Sequence, residues 1–229
     1  MKYADFEHIF SPDRLRRYLI ACQYDRRKAM TLYRYNLKLS QEIFPIIGCF
    51  EVALRNKIDA ELKKNFGPDW LRDSIKPKGF FSIDSRVKGT RKIIKKAYDT
   101  LQIEHKYTHS RLLTEMEFGI WKYMFNNVQY RLSGRCLLNI FPHKPKSTRY
   151  CKFNNAYIFN ELDNVNHIRN RIAHHEPICF GGAIAIDTQN VIHCYDSIIR
   201  LLQWMDIDSK SLLYGLDHVK YVLNLIKKF

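Results

Sequence analysis

Arginine, asparagine and histidine crowd one short stretch of this 229-residue chain, Asn166-His167-Ile168-Arg169-Asn170-Arg171-Ile172-Ala173-His174-His175-Glu176-Pro177. A helix needs few such groups to fold, so their chemistry comes first. Histidine titrates near neutrality and serves in proton transfer. Arginine stays charged and presents a rigid fork of donors to a phosphate. Asparagine can orient either partner. Together they suffice to cleave a phosphodiester that carries its own nucleophile, as RNA does in its 2′-hydroxyl. Such cleavage needs a proton acceptor, a proton donor to the leaving 5′-oxygen, and positive charge against the pentacoordinate phosphate. Arg169, Asn170 and His174 are therefore the candidate catalytic residues, with His174 moving the proton. His175 points about 100° away on an ideal helix and is structural or an assistant.

The surrounding pattern is helical. Ile158, Leu162, Val165, Ile168 and Ile172 form an apolar stripe, and Asp163, Asn166, Asn170 and His174 a polar one beside it. Arg169 falls near the apolar stripe, where a guanidinium must be paired, snorkel outward or lie at a subunit interface. Pro177 stops the helix by about His175 or Glu176. Arg169 and His174 are about 140° apart around that helix, so either the arginine reaches round or two copies of the helix meet on a twofold axis and share their groups. Spacing alone also permits a structural role, with His174 and His175 bonding the last carbonyls and Arg169 in a core ion pair. His167, His174, His175 and Cys179 lack a complete tetrahedral set, so no metal is expected.

Lys and Arg outnumber Asp and Glu 38 to 23, a net charge of +15. That balance favours polyanions, without fixing sequence specificity or catalysis. With 46% hydrophobic residues the chain can build a core. The six cysteines (Cys22, Cys49, Cys136, Cys151, Cys179, Cys194) contain no CxxC pair and read as reduced. The charged opening residues do not read as a signal peptide, and no run approaches a membrane span. A cytoplasmic protein is expected.

Helices are expected from Pro12 to about Lys28, onward to about Asn65, from Asp84 or Ser85 to about Leu101, from Thr114 to Val128, from Tyr130 to Asn139, and from Asn155 to His175. Two more run from Thr188 to Trp204 and from Ser209 to Lys227. In the second, Ile43, Ile47, Phe50, Leu54, Ile58 and Leu62 recur at core spacing. Gly181 to Ile186 reads as a tiny strand or extended link. The fold class is all-α, a single domain over residues 1–229 with a basic loop or insertion near 140–153. Two basic groups could guide RNA. One is the run from Lys76 to Lys96, including Lys88, Arg91, Lys92 and Lys95; the other is Lys144, Lys146 and Arg149 with Lys152, and Tyr150 and Phe153 are placed to stack on bases.

Three segments, in order, carry a resemblance. They are Tyr33-Arg34-Tyr35-Asn36 with Phe50-Glu51-Val52-Ala53-Leu54-Arg55-Asn56-Lys57-Ile58, then Glu115-Met116-Glu117-Phe118-Gly119-Ile120-Trp121, then Arg169-Asn170-Arg171-Ile172-Ala173-His174. The chain resembles the Abi-like (abortive infection, AbiD/AbiF-type) family of the HEPN superfamily, over about residues 10–205. The resemblance implies a HEPN-like helical bundle with additional helices and a homodimer whose interface forms a composite site. It also implies metal-independent endoribonuclease activity without a cofactor, giving 2′,3′-cyclic phosphate ends. The role would be that of an abortive-infection or toxin–antitoxin toxin restrained by an RNA or protein antitoxin. The alternative within the same superfamily is a catalytically inactive RNA-binding protein. Arg55 and Asn56 would help hold phosphate, unless Arg55 simply bridges to Glu51 on its own helix. Glu115 and Gly119 read as packing and scaffold.

Overall fold

The computed structural model describes residues 1–182 and 184–229. Among these described residues twelve α-helices follow one another: α1 (Tyr3–Phe10), α2 (Pro12–Ala21), α3 (Arg26–Phe66), α4 (Trp70–Asp73), α5 (Lys88–Ile103), α6 (His109–Thr114), α7 (Phe118–Tyr123), α8 (Asn127–Leu132), α9 (Asn155–Ala173), α10 (Gln189–Trp204), α11 (Ser209–Leu212) and α12 (Val219–Ile226). Short 3-10 turns stand at Ser85–Val87 and Leu137–Ile140. Among the described residues the only β feature is an isolated bridge between Phe180 and Ile186, so the all-α expectation holds. The extended link expected at Gly181–Ile186 includes Ala183, which lies outside the described residues.

Side-chain caps set several boundaries, and they explain some of the points where the expected elements divide. Ser11 accepts from the Arg14 amide and Pro12 opens α2. Instead of running to Lys28, that helix stops at Ala21, because Gln23 and Tyr24 take positive φ and Asp25 Oδ1 accepts the Arg27 and Lys28 amides at 2.9 Å to start α3. The single helix expected over 114–128 is broken at 115–117, where no side chain caps α7, and at 124–126, where Asn126 Oδ1 caps α8. Thr108 caps α6 and Asn126 caps α8, each accepting a backbone amide. At the C-terminus Gly215, at φ 75°, separates α11 from α12. Among the described residues no helix is long and apolar enough to cross a membrane.

The chain divides into two compact units. The first gathers residues 1–49, 167–199 and 209–229, and the second residues 50–166 and 200–208. In the first, Phe6, Phe10, Tyr18, Tyr33 and Phe180 form an aromatic cluster with ring centroids 4.6–5.4 Å apart. Such contacts contribute roughly 0.5–1.5 kcal/mol per pair beyond area burial. Ile43 and Ile47 on α3, Ile168 on α9 and Ile198 on α10 are fully buried in this unit.

In the second unit Phe50, Leu54, Ile58 and Leu62 continue the α3 stripe, buried together with Trp70, Phe118, Trp121 and Phe125. All six residues of the α3 pattern read from sequence are thus core. Polar groups inside this unit converge on two α3 carboxylates. Asp59 accepts from Lys63 Nζ (2.6 Å) and Trp70 Nε1 (2.8 Å), and lies 2.7 Å from His109 Nε2. Glu61 accepts from Asn139 Nδ2 and Lys64 Nζ. Burial pushes both carboxyls up, but the donors around them prevail and hold both below the usual carboxylate range.

A folded-state pKa below the unfolded one gives stability that is present above the unfolded value and lost as pH falls through the folded one. Unfolding by urea should therefore grow easier as pH drops below about 4.3, the upper of the two unfolded carboxyl values. Asp59→Asn should flatten that decline. An equally steep decline in the variant would show that the Asp59 cluster does not drive it.

Candidate functional site

Asn154 Oδ1 accepts the Tyr157 amide at 3.0 Å and starts α9. Along the helix Ile158, Leu162, Val165 and Ile168 are fully buried, whereas Ile172 is only half-buried. The helix ends in a pattern set by backbone bonds. The His174 amide reaches the Asn170 carbonyl (2.9 Å), the His175 amide that of Ile172 (3.0 Å), and the Glu176 amide that of Arg171 (2.7 Å). The last of these spans six residues and defines a Schellman termination. His175 takes the left-handed position usually held by glycine, at φ 57°, and Pro177 follows two residues on. His174 is thereby the C-cap residue, exposed at the very end of the helix.

The loop beyond is held by arginines. Arg14 on α2 donates to the His175 carbonyl and, through Nε, to the Tyr33 hydroxyl at 3.1 Å. Arg171 on α9 donates to the carbonyls of Pro177 and Phe180, and lies 3.5 Å from Glu176. Arg17 donates to the Gly181 carbonyl at 2.7 Å and lies over the Phe180 ring. From the other side the Oδ1 of Asn36, buried on α3, accepts the amides of Ile178 (2.8 Å) and Cys179 (3.1 Å). Buried backbone groups without partners cost about as much as a lost hydrogen bond each, and here side chains supply what no helix or strand does. Sequence reasoning missed Arg14, Arg17, Asn36 and Arg171. Asn36 lies in a segment singled out for its resemblance, and that was its one visible signal.

Arg171 being consumed in this way separates it from Arg169. In its own unit, among the described residues, Arg169 has no carboxylate partner. Its guanidinium makes one long hydrogen bond, 3.4 Å to Oδ1 of Asn170. Arg169 and Asn170 are half-buried, one turn before His174. Beside the helix end a groove of about 300 Å³ runs between α3 (Asn36, Leu37, Ser40, Phe44) and Ile172, Ala173, His175 and Glu176; His174 does not line it. Leu37 and Phe44 there remain 45% and 46% exposed. Cys179 is fully buried and burial pushes its thiol up to about 12, which sets it apart from the exposed His174 and His175. Among the described residues no three of His, Cys, Asp and Glu are grouped to hold a metal.

The other expected RNA-contacting residues belong to the second unit. Arg55 and Asn56 are neighbours on α3, 3.4 Å apart through Nε and Oδ1. On α5, Lys88, Arg91 and Lys92 have no carboxylate partner in this unit, while Lys95 is paired with Asp99 at 2.7 Å. Arg86 and Lys76 are likewise paired, with Asp84 and Asp73. The run is therefore partly compensated. Lys144, Lys146 and Arg149 lie in an exposed loop, where Arg149 stands 5.0 Å over the Tyr150 ring. Tyr150 is open to solvent, but Phe153 packs on Tyr157 and Trp204 and is not a free stacking platform.

A family model described as Abi-like protein matches residues 4–179, well over half of the chain. The match takes in Tyr33–Asn36, Arg55–Asn56, Glu115–Trp121 and Arg169–His174. No curated protein and no solved structure matches the chain.

Two substitutions test how the helix end is built. Asn36→Ala leaves two buried amides without their acceptor and should lower stability by about 1–3 kcal/mol in urea unfolding. A change below about 0.5 kcal/mol, the usual scatter of surface changes, would mean that Asn36 does not hold the loop. His175→Gly relieves a left-handed residue worth roughly 1 kcal/mol and returns part of that as chain entropy. A net gain of about 0.5 kcal/mol is expected; a loss would assign the His175 side chain a stabilising contact of its own.

Proposed function

Because the chain belongs to the Abi-like family, we propose that it is a metal-independent endoribonuclease of the HEPN type, acting in the cytoplasm as an abortive-infection or toxin–antitoxin toxin. The observation that carries this reading is the difference between the two α9 arginines. Arg171 spends its donors on loop carbonyls, whereas Arg169 keeps its fork for a ligand and stands with Asn170 one turn from the exposed His174. The +15 charge adds the long-range attraction that a polyanionic substrate requires.

In this mechanism His174 takes or returns the proton at the 2′- or 5′-oxygen. Arg169 faces the charge that builds on the phosphate, with Asn170 orienting the guanidinium or the phosphate. The products carry a 2′,3′-cyclic phosphate and a 5′-hydroxyl. Arg55, Asn56, Lys88, Arg91, Lys92, Lys95, Lys144, Lys146 and Arg149 hold or steer the RNA, Lys95 less than the rest because Asp99 neutralises it.

Arg169 and His174 diverge around the helix, so the site is composite, with two copies of α9 meeting in a homodimer. The half-exposed Leu37 and Phe44 beside the helix end supply apolar surface that such an interface would cover. An RNA or protein antitoxin would restrain the toxin by covering the same surface.

The test is cleavage of labelled total RNA and tRNA in excess EDTA, with end-group analysis, by wild type, Arg169→Ala, His174→Ala and a mixture of the two variants. Each variant alone should lose activity by two or more orders of magnitude. After subunit exchange the mixture should recover about a quarter of the wild-type activity, since half the dimers are mixed and one of their two sites is intact. An inactive mixture would place Arg169 and His174 of one chain in the same site. Binding without cleavage by the wild type would favour the inactive RNA-binding protein.

A further inference from the structure

The second unit contains a cavity of about 470 Å³ that the reading above does not use, a size suited to a small ligand or a single base. Gly89, Thr90 and Ile93 of α5 form one wall, and Gly119 and Tyr123 of α7 form another. Glu115 and Glu117 stand at the edge, both exposed and neither with a cationic partner in this unit. In a chain with fifteen excess positive charges, two uncompensated carboxylates at one cavity call for a ligand that donates hydrogen bonds.

The glycines point the same way. A glycine in a helix costs up to about 1 kcal/mol relative to alanine, less in the first turn where Gly89 and Gly119 stand, and is usually kept for close packing or a left-handed turn. Neither reason applies here. A Cβ on Gly89 or on Gly119 would meet nothing within 4 Å, and neither residue has positive φ. Gly119 therefore does not serve the close packing expected from sequence. What the two missing side chains do is keep the cavity open. Deeper in, Thr90 and Gln129 are more than nine-tenths buried and share one long bond of 3.3 Å from Gln129 Nε2 to Thr90 Oγ1. Gln129 is also part of the cavity lining.

We propose that this cavity is a base subsite for RNA, selective for guanine. Among the four RNA bases guanine alone offers two adjacent donors, N1–H and the N2 amino group, matching both oxygens of one carboxylate. Glu115 or Glu117 takes those donors, and Ile93 and Tyr123, 50% and 44% exposed, flank the ring plane. On an ideal helix Lys92 and Lys96 lie within about 60° of Gly89. Both lack a carboxylate partner in this unit, so they are placed for the flanking phosphates. Arg86 stands at the cavity but is already engaged with Asp84. The subsite rests on the RNA-acting reading and adds base preference to it.

The test measures fluorescence anisotropy of the full chain with labelled 2′-O-methyl oligouridylates, which their own hydroxyl cannot cleave, bearing one central guanine, inosine or adenine. Wild type should bind the guanine oligonucleotide about tenfold more tightly than the other two, inosine lacking only the N2 amino group. Glu115→Gln/Glu117→Gln should erase that preference without weakening binding of plain oligouridylate. Gly89→Leu, whose Cβ meets nothing within 4 Å and whose side chain would occupy the mouth of the cavity, should erase it independently of charge. If all three oligonucleotides bind wild type equally, or if the guanine preference survives in both variants, the base subsite is wrong while RNA binding stands. If no oligonucleotide binds even at low salt, the RNA-acting reading fails and takes the subsite with it. Equal affinities together with argininamide binding that the double glutamine variant loses would assign the cavity to a cationic side chain of a protein partner, and would overturn the proposal.

Discussion

Everything at the end of α9 depends on guanidinium groups satisfying backbone carbonyls. From His175 to Gly181 the chain leaves the helix without entering another regular element, apart from the lone bridge at Phe180. Its polar groups would be costly to bury unpaired. Arg14, Arg17 and Arg171 donate to four of its carbonyls, and Asn36 accepts two of its amides. Because these contacts come from α2, α3 and α9, the position of His174 is tied to several elements of the first unit at once. The left-handed His175 is tolerated for the same reason: the Schellman bonds and the Arg14 contact outweigh about 1 kcal/mol of backbone strain.

Charge is used in two distinct ways in this chain. Some cations are neutralised locally, as Lys63 is by Asp59, Lys95 by Asp99 and Arg86 by Asp84, and these serve stability or solubility more than attraction. Others, including Lys88, Arg91 and Lys92, face solvent or its edge without a carboxylate partner in their unit. The field that a polyanion meets is set by the second group, so a count of basic residues overstates the charge that the proposed RNA path along α5 could offer. The converse holds for Glu115 and Glu117, whose negative charge goes uncompensated within their unit.

The elements were legible where the hydrophobic period is long and unbroken. Ile43 to Leu62 on α3 and Ile158 to Ile168 on α9 read directly as core, because burial of a stripe leaves the same trace in sequence as in structure. Short helices were not separable. The stretch over 109–132 keeps helical composition across its breaks; Asn126 marks the division before α8 with a capping side chain, and the division before α7 has none. The boundary at Cys22–Asp25 was lost for a similar reason, since an aspartate can cap a helix or decorate its surface. The candidate site divided in the same way. The residue types that could do chemistry were visible on one strand of text, but the arginines that hold the loop were not, because their partners are carbonyls more than a hundred residues away in the case of Arg14 and Arg17.

This division of labour bears on how short motifs should be interpreted. Two arginines two positions apart on one helix look equivalent in sequence, yet about 200° of rotation separates them. Rotation sends Arg171 into the carbonyls of its own loop and leaves Arg169 with a single long bond to its neighbour. A guanidinium buried among backbone acceptors cannot also follow charge as it develops on a phosphate, because its donors are already spent. In the proposed mechanism Arg169, half-buried and held by one long bond, has little to give up in turning its fork to a phosphate. The loop arginines thus brace the helix end on which His174 stands, and Arg169 is not among them.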